Sequence, residues 1–190
     1  MISSVPDWNI SGVLPPIRPN ASGHSSDRSP YKVQMTGVIE RFAFNQQRIE
    51  ILKGLLKYRA ELYKLGINKG FQWLNGSFAQ HVELTDARTP NDIDVVTFFE
   101  LPPDETQETL GGKCAHLFTP DITKQDFFVD AYAVILGECL QSHQVGQIAY
   151  WYSMWSHRTK DNLWKGFVQV ELSPEQDALA IQLLIEKEAA

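Results

Sequence analysis

The stretch Phe71-Gln-Trp-Leu-Asn-Gly76-Ser77-Phe78 and the later stretch Asn91-Asp92-Ile93-Asp94-Val95-Val96 decide how this chain folds. Each contains a short run of aromatic and β-branched residues, which predicts a strand. The first run covers Gly70 to Leu74 and the second covers Asp92 to Phe99, and a third run follows at Phe127 to Ile135. The sequence therefore predicts three strands of one sheet.

Acidic residues interrupt the second and third of these strands. Asp92 and Asp94 are two positions apart, so both side chains leave the same face of the strand. Neighbouring carboxylates repel each other unless a positive charge lies between them, and hard oxygen ligands suit Mg²⁺ or Mn²⁺. Asp130 adds a third carboxylate inside an otherwise apolar run. We therefore expect Asp92, Asp94 and Asp130 to be metal ligands.

A structural interpretation of these acidic residues stays open. Asp92 and Asp94 would then cap a loop, and Asp130 would pair with a buried arginine or lysine.

A Gly76-Ser77 turn follows the first strand directly. Such a turn exposes backbone N–H groups and a hydroxyl, and glycine lets a ligand approach the backbone closely. The turn is therefore a candidate cradle for a phosphate group.

The order of these features resembles the DNA polymerase β-like nucleotidyltransferase superfamily, over Gly70 to about Leu136. In that superfamily the Gly-Ser turn holds a nucleoside triphosphate, the first two aspartates bind both metal ions, and the third binds the metal that activates the acceptor. The resemblance assigns these roles, in that order, to Gly76 and Ser77, to Asp92 and Asp94, and to Asp130. The 14 residues between Ser77 and Asp92 are a departure, because this loop is long for a minimal enzyme.

The resemblance implies a metal-dependent transfer of an NMP from an NTP to an acceptor hydroxyl of a nucleotide, RNA or protein. The residues from Asn91 to Val96 resemble those of small bacterial members of the superfamily, some of which are linked to phage defence or toxin–antitoxin loci. The alternative function is a catalytically silent module of the same fold, acting as an antitoxin or as a subunit of a defence complex with a protein partner.

A bound triphosphate also needs positive side chains near it. Arg88 in the long loop and Lys165 are the candidates for nucleotide binding, and His157, Arg158 and Lys160 lie close to Lys165 in the sequence. The preceding segment Tyr150-Trp-Tyr-Ser-Met-Trp155 is dense in aromatic residues. Packing in the core or an oligomer contact is the commoner use of such a segment, and base stacking is the alternative.

The remaining patterns predict an α/β (α+β) fold: a small mixed sheet with helices packed on one face. Apolar residues recur at helical spacing over residues 37 to 65, a fourth strand is expected at Lys165 to Leu172, and Ser173-Pro174-Glu175-Gln176 marks the start of a last helix. Prolines and glycines break up residues 1 to 36. We therefore expect an irregular N-terminal arm over residues 1–36 and a single domain over residues 37–190.

Composition limits the functions further. The chain has 190 residues, of which 43% are hydrophobic, and a net charge of −6. The acidic balance argues against extensive nucleic-acid coating, since each neutralised phosphate needs a basic residue. Neither Cys114 nor Cys139 lies in a zinc-binding pattern, so both are expected to be reduced, buried thiols. With neither a signal peptide nor a membrane span apparent, we expect a cytoplasmic protein.

Overall fold

The computed structural model describes residues 4–137 and 141–189, and its centre is a mixed five-stranded sheet. The strands are β1 (Tyr31–Lys32), β2 (Gly70–Asn75), β3 (Ile93–Glu100), β4 (Val129–Leu136) and β5 (Val168–Glu171). Their order is β1-β5-β2-β3-β4. Strand β2 runs antiparallel to both β3 and β5, whereas β4 pairs parallel with β3 and β1 pairs parallel with β5. The predicted α+β fold with a mixed sheet is therefore confirmed.

Seven α-helices and one 3-10 turn surround the sheet in the described part of the chain. The helices are α1 (Met35–Phe42), α2 (Gln46–Lys64), α3 (Val82–Thr85), α4 (Gln107–Cys114), α5 (Pro120–Phe127), α6 (Ser142–Trp155) and α7 (Pro174–Glu188), and the 3-10 turn is Ala115–Phe118. No helix among the described residues combines the length and the apolar character needed to cross a membrane.

The two faces of the sheet carry separate hydrophobic clusters. Residues such as Val95, Val129 and Val168 pack against α1, α2, α4 and α7 in the larger core. The alternate residues point the other way, as strand geometry requires, and form a smaller cluster that includes Trp73 and Trp155. Helix α6 therefore differs from the expected arrangement, because it lies on the face opposite to the other helices.

The clearest differences from the expected element boundaries are in the first helix and at the start of β4. The single helix expected over residues 37–65 is two helices, because Asn45 lies in extended conformation and caps α2 by accepting a hydrogen bond from the Arg48 amide. Phe127 ends α5 instead of starting β4, which begins at Val129 after the left-handed residue Phe128. The last helix begins as expected, with Ser173 as its N-cap and Pro174 in its first turn.

The N-terminal segment expected as an irregular arm contributes to the core. Leu14 and Tyr31 are buried, and Tyr31–Lys32 forms β1 beside β5. The Trp8 indole N–H donates to the Ala79 carbonyl at 2.8 Å. The arm is thus attached both to the sheet and to the loop after β2. Of the two cysteines, Cys114 is buried with a free thiol, and Cys139 lies outside the described residues.

A buried ion pair joins α2 to α7. The Arg59 guanidinium, which is fully buried, donates to both carboxylate oxygens of Asp177 at 2.6 and 2.9 Å. It also donates to the Gln72 side chain on β2 and to the Glu171 carbonyl on β5, and the Tyr63 hydroxyl donates to Asp177. Because Arg59 and Asp177 are both buried, the pair stabilises the fold only while it stays complete.

We expect Asp177→Ala to lower the free energy of unfolding by about 3–5 kcal/mol, because it leaves the Arg59 charge buried and unpaired. The matched control is Glu61→Ala, which removes the exposed ion pair between Glu61 and Lys64 and should change stability by less than about 1 kcal/mol. Urea unfolding monitored by circular dichroism measures both values. Equal, small losses in the two variants would contradict a structural role for the buried pair.

Candidate functional site

Two of the predicted carboxylates lie side by side on adjacent strands. The parallel register pairs Asp94 on β3 with Asp130 on β4, and the two residues project from the face that carries the smaller hydrophobic cluster, since Val95 and Ala131 belong to the larger one. Asp92 lies immediately before β3. The structure therefore brings all three predicted acidic residues to one end of the sheet.

A lysine that the sequence analysis did not single out lies against this group. The Lys124 ammonium on α5 is 2.7 Å from Asp130 Oδ2 and 3.7 Å from Asp92 Oδ2. The second oxygen of Asp130, Oδ1, is buried and has no hydrogen-bond partner among the described residues. The Lys124 side chain is 41% exposed, so the cation that pairs with Asp130 is not the buried one of the structural interpretation.

Burial and mutual repulsion raise the pKa values of Asp92 and Asp94. The pKa of Asp94 is raised from 3.8 to about 6, first by burial and then by the charges of Asp92 and Asp130, with Lys165 opposing the shift. The pKa of Asp92 is also raised, again chiefly by burial, while Lys124 acts to lower it. The raised values show that the protein environment disfavours the negative charge gathered here.

Lys165 lies on the other side of Asp94 and is 4% exposed. Its ammonium donates to Asn75 Oδ1 at 2.8 Å, and Asn75 is the residue of β2 that pairs with Asp94. Burial lowers the pKa of Lys165 from 10.5 to about 8, and the charge of Asp94 opposes that shift. Lys165 therefore stays largely protonated at neutral pH and supplies a fixed positive charge at the site.

Gly76 brings the turn after β2 against the carboxylate of Asp94. Its φ angle is +78°, and a Cβ atom there would lie 2.7 Å from both Cγ and Oδ1 of Asp94. Only glycine combines this left-handed conformation with so close an approach. Ser77 follows in the half-buried part of the turn, and both Gly76 and Ser77 line the cavity beside Asp94.

A buried arginine holds the loop that follows this turn. Arg48 on α2, fully buried, donates to the carbonyls of Phe78 and Gln80 at 2.7 and 2.6 Å. It also pairs with Glu83 on α3 at 2.6 Å. Arg48 therefore anchors the start of the long loop between Ser77 and Asp92.

A cavity of about 390 Å³ opens beside Asp94. All four residues predicted to bind a nucleotide line it: Gly76, Ser77, Arg88 and Lys165. Additional basic side chains in its wall are His157, Arg158 and Lys160. Asp94 is in the lining, whereas Asp92 and Asp130 lie beyond it on the side of Lys124. The cavity thus has a basic wall and reaches the acidic group from one side.

Several of the basic residues in this wall are held by neighbours. Arg158 pairs with Asp161 at 2.5 Å and donates to the Ser11 carbonyl of the N-terminal arm at 2.8 Å. Lys160 pairs with Asp86 of the long loop at 2.7 Å. The arm and the long loop therefore both contribute to the shape of the cavity.

The aromatic segment on α6 divides between core and surface. Trp155 is buried against Phe167, and Trp151 packs on Tyr132, so these two rings serve the smaller hydrophobic cluster. Tyr150 is 58% exposed and Met154, which lines the cavity, is 44% exposed. Trp151 and Trp155 therefore pack in the core, which is the commoner of the two uses expected for this segment.

The carboxylates of Asp92, Asp94 and Asp130 have the chemistry of a divalent-ion site but not its arrangement. Three carboxylates from adjacent strand positions, with one buried oxygen left without a partner, have the chemistry that Mg²⁺ and Mn²⁺ prefer. Over residues 4–137 and 141–189, no three carboxylate, imidazole or thiolate side chains are arranged as a ready metal site. The residue types fit an ion, but the side chains as they lie are arranged around the Lys124 ammonium instead.

The chain belongs to the family DUF6932, described as a family of unknown function, which it matches over residues 6–171. This range includes most of the N-terminal arm, all five strands and every residue of the candidate site, and ends before α7. No curated protein and no solved structure matches the chain.

Replacing Asp94 by asparagine should stabilise the metal-free chain at neutral pH. Folding raises the pKa of Asp94 from 3.8 to about 6. Between these two pH values the native state retains a proton that the unfolded chain has released, so the free energy of unfolding falls as the pH rises from 3.8 to about 6. The gain is at most about 3 kcal/mol, and the lost attraction to Lys165 offsets part of it.

Thermal unfolding in EDTA at pH 4.5 and pH 7.5 measures this effect. We expect the Asp94→Asn variant to have a higher Tm than the wild type at pH 7.5, and the difference to shrink at pH 4.5, where Asp94 is protonated in the folded wild type. A lower Tm at pH 7.5 would show that Asp94 is held by an ion pair that outweighs its burial.

Gly76→Ala should destabilise the chain and disturb the site, because the new Cβ meets the Asp94 carboxylate in a left-handed conformation that costs about 1–2 kcal/mol by itself. Gly111→Ala is the matched control: a Cβ at Gly111 in α4 meets nothing within 4 Å, so this change should stabilise by about 0.5–1 kcal/mol. Chemical denaturation gives both values, and a neutral Gly76→Ala would disprove the close approach.

Proposed function

We propose that this chain is a metal-dependent nucleotidyltransferase, which transfers an NMP from an NTP to an acceptor hydroxyl and releases pyrophosphate. The observation that carries the proposal is the pairing of Asp94 with Asp130 across two parallel strands, directly beside the Gly76-Ser77 turn and a cavity with a basic wall. This is the arrangement expected from the resemblance to the DNA polymerase β-like superfamily.

A triphosphate would bind on the side of the site where the cavity opens beside Asp94. The cavity contains the turn, whose hydroxyl and backbone would contact phosphate oxygens, and the basic side chains of Arg88, Arg158 and Lys165. Lys165 is already fixed by Asn75, so it can neutralise phosphate charge without reorganising. The reacting α-phosphorus would then lie next to Asp94.

The acceptor hydroxyl would approach from the side of Asp130, which lies outside the cavity. Mg²⁺ or Mn²⁺ held by Asp92, Asp94 and Asp130 would supply charge neutralisation and activation of the attacking oxygen. Asp130 would orient the acceptor, and the rigid strands β3 and β4 would keep the carboxylates at a fixed spacing. We place the activity in the cytoplasm, where NTPs and Mg²⁺ occur together.

A second candidate is a binding module of the same fold without turnover, acting as an antitoxin or as the subunit of a defence complex. The contacts of Lys124 with Asp130 and Asp92 favour it, because they offset carboxylate charge in the absence of a metal ion. In this case the cavity would bind a nucleotide, or a protein partner would cover it.

Incubation of the full chain with each NTP, with Mg²⁺ or Mn²⁺, and with RNA and protein acceptors separates the two candidates by the release of pyrophosphate. We expect Asp94→Asn and Asp130→Asn to lower the rate by at least about 100-fold while the fold is retained, because the ligands of the metal are lost. Ser77→Ala should raise the KM for the NTP, since its hydroxyl contacts the triphosphate.

The control for these variants is Asp104→Asn, which removes an exposed carboxylate in the loop after β3, beyond the end of the strand opposite to Asp94, and should leave the rate unchanged. Equilibrium dialysis with the same NTPs gives the second measurement. Nucleotide binding without pyrophosphate release under any of these conditions would favour the binding module, and the absence of both would disprove the proposed substrate class.

A further inference from the structure

Lys124 is placed at the carboxylates by the packing of its helix. Gly54 on α2 lies so close to α5 that a Cβ there would be 1.9 Å from the Phe127 carbonyl oxygen. This close approach is possible only because residue 54 is glycine, and it fixes the C-terminal end of α5, one turn from Lys124. The ammonium therefore reaches Asp130 from a position that the fold determines.

The charges around the carboxylates limit how many cations they can take. Asp92, Asp94 and Asp130 carry three negative charges, and Lys124 and Lys165 offset two of them. One divalent ion more than balances the remainder, and a second one would lie within a few ångströms of the first and of Lys124. Two such ions would repel each other and the Lys124 ammonium, because the carboxylates have too little negative charge left to offset both.

The two lysines also lie on different sides. Lys165 lines the cavity that contains the Gly76-Ser77 turn. Lys124 lies outside that lining and contacts Asp130 Oδ2, while Asp130 Oδ1 has no partner in the described part of the chain. One oxygen of Asp130 is thus already bound to a cation, and the other is buried without a hydrogen-bond partner among the described residues.

We propose that the site takes a single divalent ion and that Lys124 permanently supplies the second positive charge, the one next to Asp130. The proposal rests on the proposed function, in which Asp130 faces the acceptor. Lys124 would then stand where a two-metal enzyme holds its second ion, and its ammonium would stabilise the negative charge that develops on the attacking acceptor oxygen. The one divalent ion held by the carboxylates would neutralise the triphosphate, and Lys124 would provide the charge at the attacking oxygen that a second ion would otherwise supply.

The test counts Mn²⁺ ions bound to the EDTA-treated full chain by calorimetry and by electron paramagnetic resonance, without any nucleotide. The variants are Lys124→Ala, which empties the position, and Lys124→Arg, which keeps a cation there. The control is Lys57→Ala, which removes one exposed positive charge on α2 away from the site. Asp94→Asn identifies the ions that belong to the site, because those are lost in it.

We expect one site-specific ion in the wild type, in Lys124→Arg and in Lys57→Ala, and two in Lys124→Ala. With the proposed function in force, Lys124→Ala should also steepen the dependence of the rate on Mn²⁺ concentration, whereas Lys124→Arg should leave its order at one. Circular dichroism establishes that each variant is folded.

Two results would overturn the inference and leave the proposed function intact: two site-specific ions in the wild type, or a single ion in the folded Lys124→Ala variant. A wild type in which Asp94→Asn removes no bound ion would instead disprove the metal site itself, and with it both the inference and the metal-dependent reaction.

Discussion

The parallel pairing of β3 with β4 places Asp94 beside Asp130, and the repulsion between these carboxylates is the constraint on which the arrangement of the site depends. Nearby groups of opposite charge come from both directions: Lys124 from α5 and Lys165 from the segment before β5. Gly76 leaves room for the Asp94 carboxylate. Because each of these residues comes from a different element, the acidic pair can exist only when the whole sheet and its helices are assembled.

Two buried arginines on α2 supply the framework around this site. Arg59 ties α2 to α7 and to the strands β2 and β5 through Asp177 and its neighbours. Arg48 ties the same helix to the loop after Gly76, through the carbonyls of Phe78 and Gln80. One helix therefore contacts both the sheet and the loop, and its Arg48 holds the residue that directly follows Ser77.

The acidic residues could be located from the sequence because strand periodicity is short-range. Asp92 and Asp94 share a face by spacing alone, and Asp130 is conspicuous in an apolar run. Lys124 could not be located in this way, since its partner is reached only through the packing of α5 on α2 at Gly54. Helix α6 contains no Asp, Glu, Lys or Arg, so the charged face by which a surface helix is usually recognised is absent from its sequence.

The two lysines at the carboxylates differ in burial, and their pKa values are shifted in opposite directions. Lys165 is buried and fixed by Asn75, and its pKa is lowered to about 8 by that burial, so its charge costs desolvation energy that only a nearby anion offsets. Lys124 remains partly exposed, and its pKa is raised, first by the hydrogen bond to Asp130. The first lysine gains from an anion that enters the cavity, whereas the second already has its anion. An anion that entered the cavity would therefore be attracted by Lys165, whereas the contact of Lys124 with Asp130 offsets carboxylate charge without any ligand.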